Sequence, residues 1–138
     1  MVDSAAAGRI VVLLHDHPFR HWDLLLEQSE TAATWRLFRP PLTGEPLAAQ
    51  RIADHRLHYL SWEGPVSGNR GTVRRTHSGT YQQLTCAGVP EWVACAMHPV
   101  CPPQHSIALR RLQISGLPGI VEACLITTLD QREFWYFR

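Results

Sequence analysis

Residues 9–27 read Arg9-Ile10-Val11-Val12-Leu13-Leu14-His15-Asp16-His17-Pro18-Phe19-Arg20-His21-Trp22-Asp23-Leu24-Leu25-Leu26-Glu27, and two strand patterns share that stretch. Arg9 to Leu14 is a continuous apolar run rich in β-branched residues, the pattern of a strand buried on both faces or nearly so. His21 to Glu27 follows a period of two, which places His21, Asp23, Leu25 and Glu27 on one face and Trp22, Leu24 and Leu26 on the other. A strand that turns a His and an Asp the same way beside a hydrophobic core can hold a polar site rigidly.

The β reading extends outward from this hairpin. Thr34 to Phe38 is a short third strand, Pro40-Pro41 and Gly44-Glu45-Pro46 punctuate a loop, and Leu47 to Ala53 leads to the Asp54-His55 pair. Trp62 to Gly71 is a structured loop rich in glycine. Thr72–Thr76 and Thr80–Leu84 bracket Ser78-Gly79 and read as a hairpin. Glu91–Ala96, Ser106–Ile114, Ile120–Leu129 and Phe134–Phe137 are further strand candidates. Helix is expected only as one or two turns, near Ala48 or at Arg56–Leu60. Eight or nine short strands in a chain of 138 residues predict a mainly β fold: a compact, closed or nearly closed β-barrel of about eight strands with little helix, since closure removes exposed edges. Residues 1–8 are expected to form a flexible N-terminal tail and residues 9–138 a single domain.

Composition narrows the function classes. A hydrophobic content of 45% with 18% charged residues suits a globular protein and excludes disorder. No apolar stretch approaches the roughly 20 residues of a membrane span, and no signal-peptide layout opens the chain, so a cytoplasmic protein without membrane partners is expected. A net charge of +1 supplies no global field for a polyanion. All thirteen basic residues are Arg, whose planar fork suits phosphate. The four cysteines contain no C-x-x-C pair and are expected to be reduced, buried thiols. Cys95, His98, Cys101 and His105 have a conceivable zinc-knuckle spacing, but Pro99, Pro102 and Pro103 interrupt it, which favours a Pro-rich loop with incidental Cys and His.

The chemistry concentrates near the first hairpin. Neutral imidazoles with a carboxylate favour Zn²⁺, Mn²⁺ or a similar borderline ion, and three protein ligands with open positions are the arrangement of a catalytic site. His15 at the end of the first strand, Asp23 on the second and His55 at the end of a later one are the expected metal ligands, converging at one mouth of the barrel. His21, on the strand face of Asp23, Tyr59 and Arg51 are the expected catalytic or substrate-facing groups. The Gly68-Asn69-Arg70-Gly71 loop resembles a turn whose backbone N–H groups face an anion.

These residues also carry a resemblance. The run from His15-Asp16 through Arg20-His21-Trp22-Asp23-Leu24-Leu25-Leu26-Glu27 resembles the H-D-x-x-x-x-H-Y-D-x-R-L-E signature of the phosphoesterase domain of bacterial DNA ligase D. Arg51-Ile52-Ala53-Asp54-His55-Arg56-Leu57-His58-Tyr59-Leu60-Ser61-Trp62-Glu63-Gly64 is similar to that family's R-x-x-D-H-x-x-x-Y-x-x-F-E-G segment. Gly68-Asn69-Arg70-Gly71 and Gly79-Thr80-Tyr81 match its G-N-Y-G and R-G-T-Y/W elements. The agreement runs from about Val11 to Leu84; beyond it only the β-rich character is shared. The resemblance implies a stand-alone β-barrel that removes a terminal ribonucleoside and a 3′-phosphate from nucleic-acid 3′ ends during end joining, with separate ligase or polymerase proteins as partners. It implies Mn²⁺, with Zn²⁺ or Co²⁺ as substitutes, on His15, Asp23 and His55, with His21 and Tyr59 touching the phosphate. The chain departs from the family at Leu25, where the family has an Arg, and at Arg70, where it has Tyr; Arg70, Arg20 or Arg51 would then supply the missing cation, with Asn69 beside Arg70 at the substrate. Two alternatives follow from that departure and from the near-zero charge: a catalytically weak nucleic-acid end-binding module, or a phosphoesterase for a small phosphorylated metabolite.

Overall fold

The two faces of the first hairpin bury against different partners, and this sets the architecture. The computed structural model describes residues 6–97 and 105–138. Strands β1 (Ala7–His15), β2 (His21–Glu27), β3 (Thr31–Leu37) and β4 (Leu47–Arg56) run as an antiparallel meander. A single 3-10 turn (Leu57–Leu60), a two-residue strand β5 (Gly64–Pro65) and the long β6 (Thr72–Leu84) follow. Helix α1 (Glu91–Met97) precedes β7 (Ser106–Ser115), β8 (Glu122–Thr128) and β9 (Glu133–Phe137). The strand order is β1-β2-β3-β4-β9-β8-β7-β6-β5, and an additional β1–β6 pairing joins the ends into a ring of eight strands with β5 attached outside it. The mainly β, closed or nearly closed expectation therefore holds.

The interior of the ring is one apolar cluster to which all eight of its strands contribute, including Ile10, Leu24, Trp35, Leu112, Leu125 and Trp135. Trp35 and Trp135 meet edge to face at 5.2 Å, and each fully buried aliphatic side chain contributes roughly 1.5–3 kcal/mol. The outer face of the ring is covered twice. A strap from Leu57 to Gly71 lays Leu60 and Val66 over Val11, Leu13, Leu25, Ala32 and Val73. Helix α1 lays Val93 and Met97 over Cys124, Ile126, Phe134 and Tyr136. The strap explains the continuous apolar run of β1: Ile10 and Val12 point into the ring, Val11 and Leu13 point under the strap, and all four are fully buried.

Three expectations need correction. Ser78-Gly79 is not a turn: β6 is continuous, with Gly79 opposite Ile10 of β1 and Thr80 opposite Ser115 of β7. Gly79 has ordinary extended backbone, and a Cβ there would collide with the Ser115 carbonyl and Leu117. Its glycine marks a close approach of two strands, the other meaning of Gly in a strand pattern. Residues 91–96 are helix rather than strand; a short apolar run reads equally well as either. Strand β1 begins at Ala7, two residues inside the expected tail, with Ala7 paired to Gln82.

The single turn near Arg56–Leu60 is present, whereas Ala48 lies within β4. Of the cysteines, Cys124 is buried, Cys86 half-buried and Cys95 exposed on α1, so burial holds for only one of these three. His98 and Cys101 lie outside the described residues, and with them the reading of the Cys/His cluster. Among the described residues no helix is long and apolar enough to cross a membrane.

Candidate metal centre

The register of the first hairpin sets His15 directly opposite His21, with Asp23 opposite Leu13. Asp23 is 1% exposed. Its Oδ1 lies 3.1 Å from His21 Nε2 and its Oδ2 lies 3.3 Å from His15 Nδ1. His55 Nε2 stands farther off, 3.9 Å from Asp23 Oδ2.

Each of these imidazoles is tied at its other nitrogen to a backbone carbonyl: His21 Nδ1 to Phe19 at 2.8 Å, His15 Nε2 to Arg70 at 2.8 Å, and His55 Nδ1 to Ala53 at 3.3 Å. A carbonyl only accepts, so those outer nitrogens carry the protons, and in a neutral ring the inner nitrogen presents a lone pair. Three lone pairs thus face one carboxylate with no donor between them. His21 Nε2 and Asp23 Oδ1 are buried without a hydrogen-bond partner, a costly state unless a proton or a cation lies between them. Outer nitrogens anchored on carbonyls are the usual orientation of metal-ligating histidines. The donor atoms of His15, His21 and Asp23 lie within 4.8 Å of one another, a group that could hold a metal ion.

The electrostatics agree. Burial pushes the Asp23 carboxyl upward, but the facing imidazoles of His15, His21 and His55, which donate to the carboxylate only when the inner nitrogen is protonated, outweigh burial and hold the group far below the ordinary carboxylate range. His15 is raised above its ordinary value of 6.5, chiefly by the hydrogen bond its protonated ring gives Asp23 and against the effect of burial, with the Arg70 carbonyl adding to the rise. A carboxylate held ionised and a neighbouring His15 that favours positive charge also favour a bound cation.

His15 and Asp23, but not the fully buried His21, open onto a cavity of about 580 Å³, lined also by His55, Tyr59, His17 and Arg36. It lies on the outer face of the ring beside the strap, not at a mouth of the barrel, because the odd-numbered residues of β1 and β2 face outward while the even-numbered ones fill the interior. Tyr59 is presented by the 3-10 turn, its ring 5.6 Å from that of His55.

Other sequence candidates lie elsewhere. Between β3 and β4 the pairing passes from Thr34↔Ile52 to Ala32↔His55, so β4 advances one residue more than its partner. That bulge inverts the strand parity. Arg51 and His55, four residues apart, therefore face opposite ways: the Arg51 guanidinium lies 4.8 Å over Trp35 and pairs with Asp54 at 2.7 Å. Arg20 lies 5.6 Å over Trp22, and neither Arg20, Arg51 nor Asn69 lines the cavity.

The Gly68–Gly71 loop serves the site through a carbonyl rather than through N–H groups. Arg70 offers its backbone oxygen to His15, while its guanidinium folds back on Ser67, with Nε 2.7 Å from the carbonyl. Asn69 occupies a left-handed position, with φ 57°. Asp16 accepts from Thr72 N at 2.7 Å and from Thr72 Oγ1 at 3.0 Å. A Cβ on Gly71 would overlap the Asp16 carboxylate, and its φ of +75° adds a second demand for glycine. His17 and Arg36 were missed by the sequence reading. Arg36 is the β3 partner of Asp23, a relation that only the strand register reveals.

No curated protein matches the chain. A family model, the DNA Ligase D 3′-phosphoesterase domain, matches residues 14–115, from the end of β1 to the end of β7 and across every residue of the cluster. The chain belongs to the DNA ligase D 3′-phosphoesterase domain family.

Proposed function

We propose that this chain is a metal-dependent phosphoesterase that hydrolyses 3′-terminal ribonucleotide or 3′-phosphate ends of nucleic acid. The observation that carries the reading is the convergence of three carbonyl-anchored imidazoles on one buried carboxylate, with His21 Nε2 and Asp23 Oδ1 left without partners. His15, His21 and Asp23 hold the divalent cation, for which Mn²⁺ is the expected occupant and Zn²⁺ or Co²⁺ are substitutes. This set exchanges His21 for the His55 expected from spacing, because His21 is fully buried and its one free nitrogen faces Asp23. When bound, such an ion supplies charge to the phosphate oxygens and acidifies water.

The remaining groups belong to this chain. His55, 25% exposed, stands on the open side, where its Nε2 can accept a hydrogen bond from a protonated phosphate ester or, once protonated, deliver a proton to a leaving oxygen. Tyr59 Oη can donate to a phosphate oxygen. Arg36, Arg56 and Arg70 line the same cavity beside Asp23 and Asp54, so cationic groups are at hand in the pocket although the chain as a whole is near neutral. Nucleic-acid ends are the expected partner, with separate ligase or polymerase proteins acting on the product.

The test is hydrolysis of a primer-template carrying a 3′-ribonucleotide or a 3′-phosphate, with Mn²⁺ and with EDTA. Metal-dependent cleavage lost in His15→Ala is the expected result. Stoichiometric metal binding without turnover on either substrate would favour the second reading, a non-catalytic end-binding module. Leu25, buried where the family carries an Arg, is the observation in its favour.

A further inference from the structure

Leu25 is fully buried in the apolar cluster under the strap, so no cation reaches the site from the position where the family supplies one. The cavity still opens onto three arginines, and they differ in how their guanidinium groups are used. Arg70 is spent on Ser67, with Nε to the carbonyl at 2.7 Å and an Nη to Oγ at 3.2 Å. Arg56 lies 5.7 Å over the Tyr59 ring, on an exposed residue.

Arg36 is different. It sits on β3 directly across from Asp23, half-buried in the cavity wall. Among the described residues no ion pair within 4.0 Å joins it to Asp23, whose oxygens face imidazoles instead. Its Nε is shielded from water and has no hydrogen-bond partner. The guanidinium lies 5.4 Å over the ring of Phe19, which is itself stacked on Phe38 at 6.1 Å and touches His21 edge-on at 5.4 Å. Phe19 therefore fixes both neighbours of the pocket: its ring seats Arg36, and its carbonyl orients His21. A guanidinium seated on an aromatic ring in the cavity wall, with no ion pair or hydrogen bond to the described residues, is preorganised to offer its outer Nη groups to an acceptor in the cavity, and its planar fork matches two oxygens of a phosphate.

We infer that Arg36 is the phosphate-gripping residue of this pocket, making from β3 the contact that Leu25 cannot make from β2, and that Phe19 is the positioning residue that aims it. The inference rests on the phosphoesterase reading and names how that site binds its anion.

Calorimetric titration tests it with three probes: Mn²⁺ alone, then inorganic phosphate and thymidine 3′-phosphate on the Mn²⁺-loaded protein. Arg36→Gln is expected to bind Mn²⁺ within about 3-fold of the parent and to lose about 30-fold in affinity for both phosphates, the scale of one charge-assisted pair. Arg36→Lys, a point charge without the fork, should recover part of that loss. Phe19→Leu should show a smaller loss, about 5-fold, in the same direction. Arg20→Gln, outside the cavity, should match the parent.

Parent-like phosphate binding by Arg36→Gln would overturn the assignment, as would an equal loss of Mn²⁺, which would mark a merely structural role. If Arg36→Gln does not fold, Arg36→Lys decides: about 10-fold weaker phosphate binding with Mn²⁺ unchanged upholds the bidentate grip, and parent-like binding overturns it. A parent that binds Mn²⁺ and phosphate through Arg36 but cleaves no 3′ end would remove the proposed reaction and leave this anion site standing.

Discussion

The three imidazoles around Asp23 are not equivalent, and their difference in depth assigns their work. His21 is fully buried, its proton goes to the Phe19 carbonyl at 2.8 Å, and its remaining nitrogen points at Asp23; no substrate can reach it. His55 is 25% exposed and 3.9 Å from the carboxylate, and it is held by a longer 3.3 Å bond to Ala53. His15→Ala, His21→Ala and Asp23→Ala should each weaken Mn²⁺ binding by at least about 100-fold, beyond the 10–100-fold typical of losing an outer-shell partner. His55→Ala should hold Mn²⁺ within about 5-fold while losing turnover by about 100-fold or more, the usual worth of an acid–base group. Electron paramagnetic resonance titration of free Mn²⁺, run beside the cleavage assay, separates the two classes. Release of metal by His55→Ala with retention by His21→Ala would restore the ligand set read from spacing. That spacing correctly put His21 and Asp23 on one face, because strand parity is local. It could not rank His21 against His55, since burial depth depends on tertiary neighbours such as the Phe19 ring and His15 against His21, and it could not find Arg36, which meets Asp23 only through the β2–β3 register.

At the scale of elements, strand periodicity was legible over most of the ladder and failed at a bulge and at a close approach of two segments. The bulge in β4 reversed Arg51 relative to His55, and Gly79 imitated a turn although it marks close packing between β6 and the chain after β7. Gly79→Ala should therefore lower stability by about 1–3 kcal/mol through overpacking, read as a fall in the denaturant midpoint; an unchanged midpoint would show that the strands separate freely. Helix α1 is fastened by a different device. Glu122 of β8 accepts from Arg111 at 2.5 Å, from Arg138 at 2.9 Å and from Trp92 of α1 at 3.2 Å. Burial raises its pKa, but these three partners outweigh burial and hold it below its ordinary value of 4.5. A depressed carboxylate adds stability that is present above its unfolded-state pKa and is lost as pH falls through the folded value. Glu122→Gln should then cost about 2 kcal/mol at pH 7, discounted for the half-exposed Arg138, and the difference from the parent should shrink below pH 4.5. Thermal melts across that range test this; a gap independent of pH would mean that Glu122 acts by shape rather than by charge.

The whole molecule is a ring with two outer coverings, and only one of them is coupled to the site. The strap reaches the cluster through the Arg70 carbonyl on His15, and where it passes into β6 Thr72 holds the adjoining Asp16, whereas α1 packs over β8 and β9 and shares no residue with the cavity. The family match ends at residue 115, so β8, β9 and the seat of α1 lie beyond it, in the part of the chain whose sequence showed only strand character. Those strands nevertheless close the ring that carries β1 and β2, with Trp135 and Phe137 in its interior. Closure depends on interior volume, which many sequences can fill, whereas the first hairpin must present particular donors at particular positions; this is why one half of the chain was readable as a site and the other only as strands. A cation bound by the native state alone stabilises it by mass action, about 2.7 kcal/mol at 100 times its dissociation constant. Mn²⁺ should raise the melting temperature of the parent and leave that of Asp23→Asn unchanged. The gain should also be uneven, because local opening of the strap breaks the backbone anchor of His15 while local opening of α1 does not. Hydrogen exchange at Val66, Arg70 and Thr72 should slow on Mn²⁺ loading, and exchange at Val93 and Ala94 should not. Equal slowing in both regions would mean that the ion acts only through global stability and that the strap is not part of the metal site.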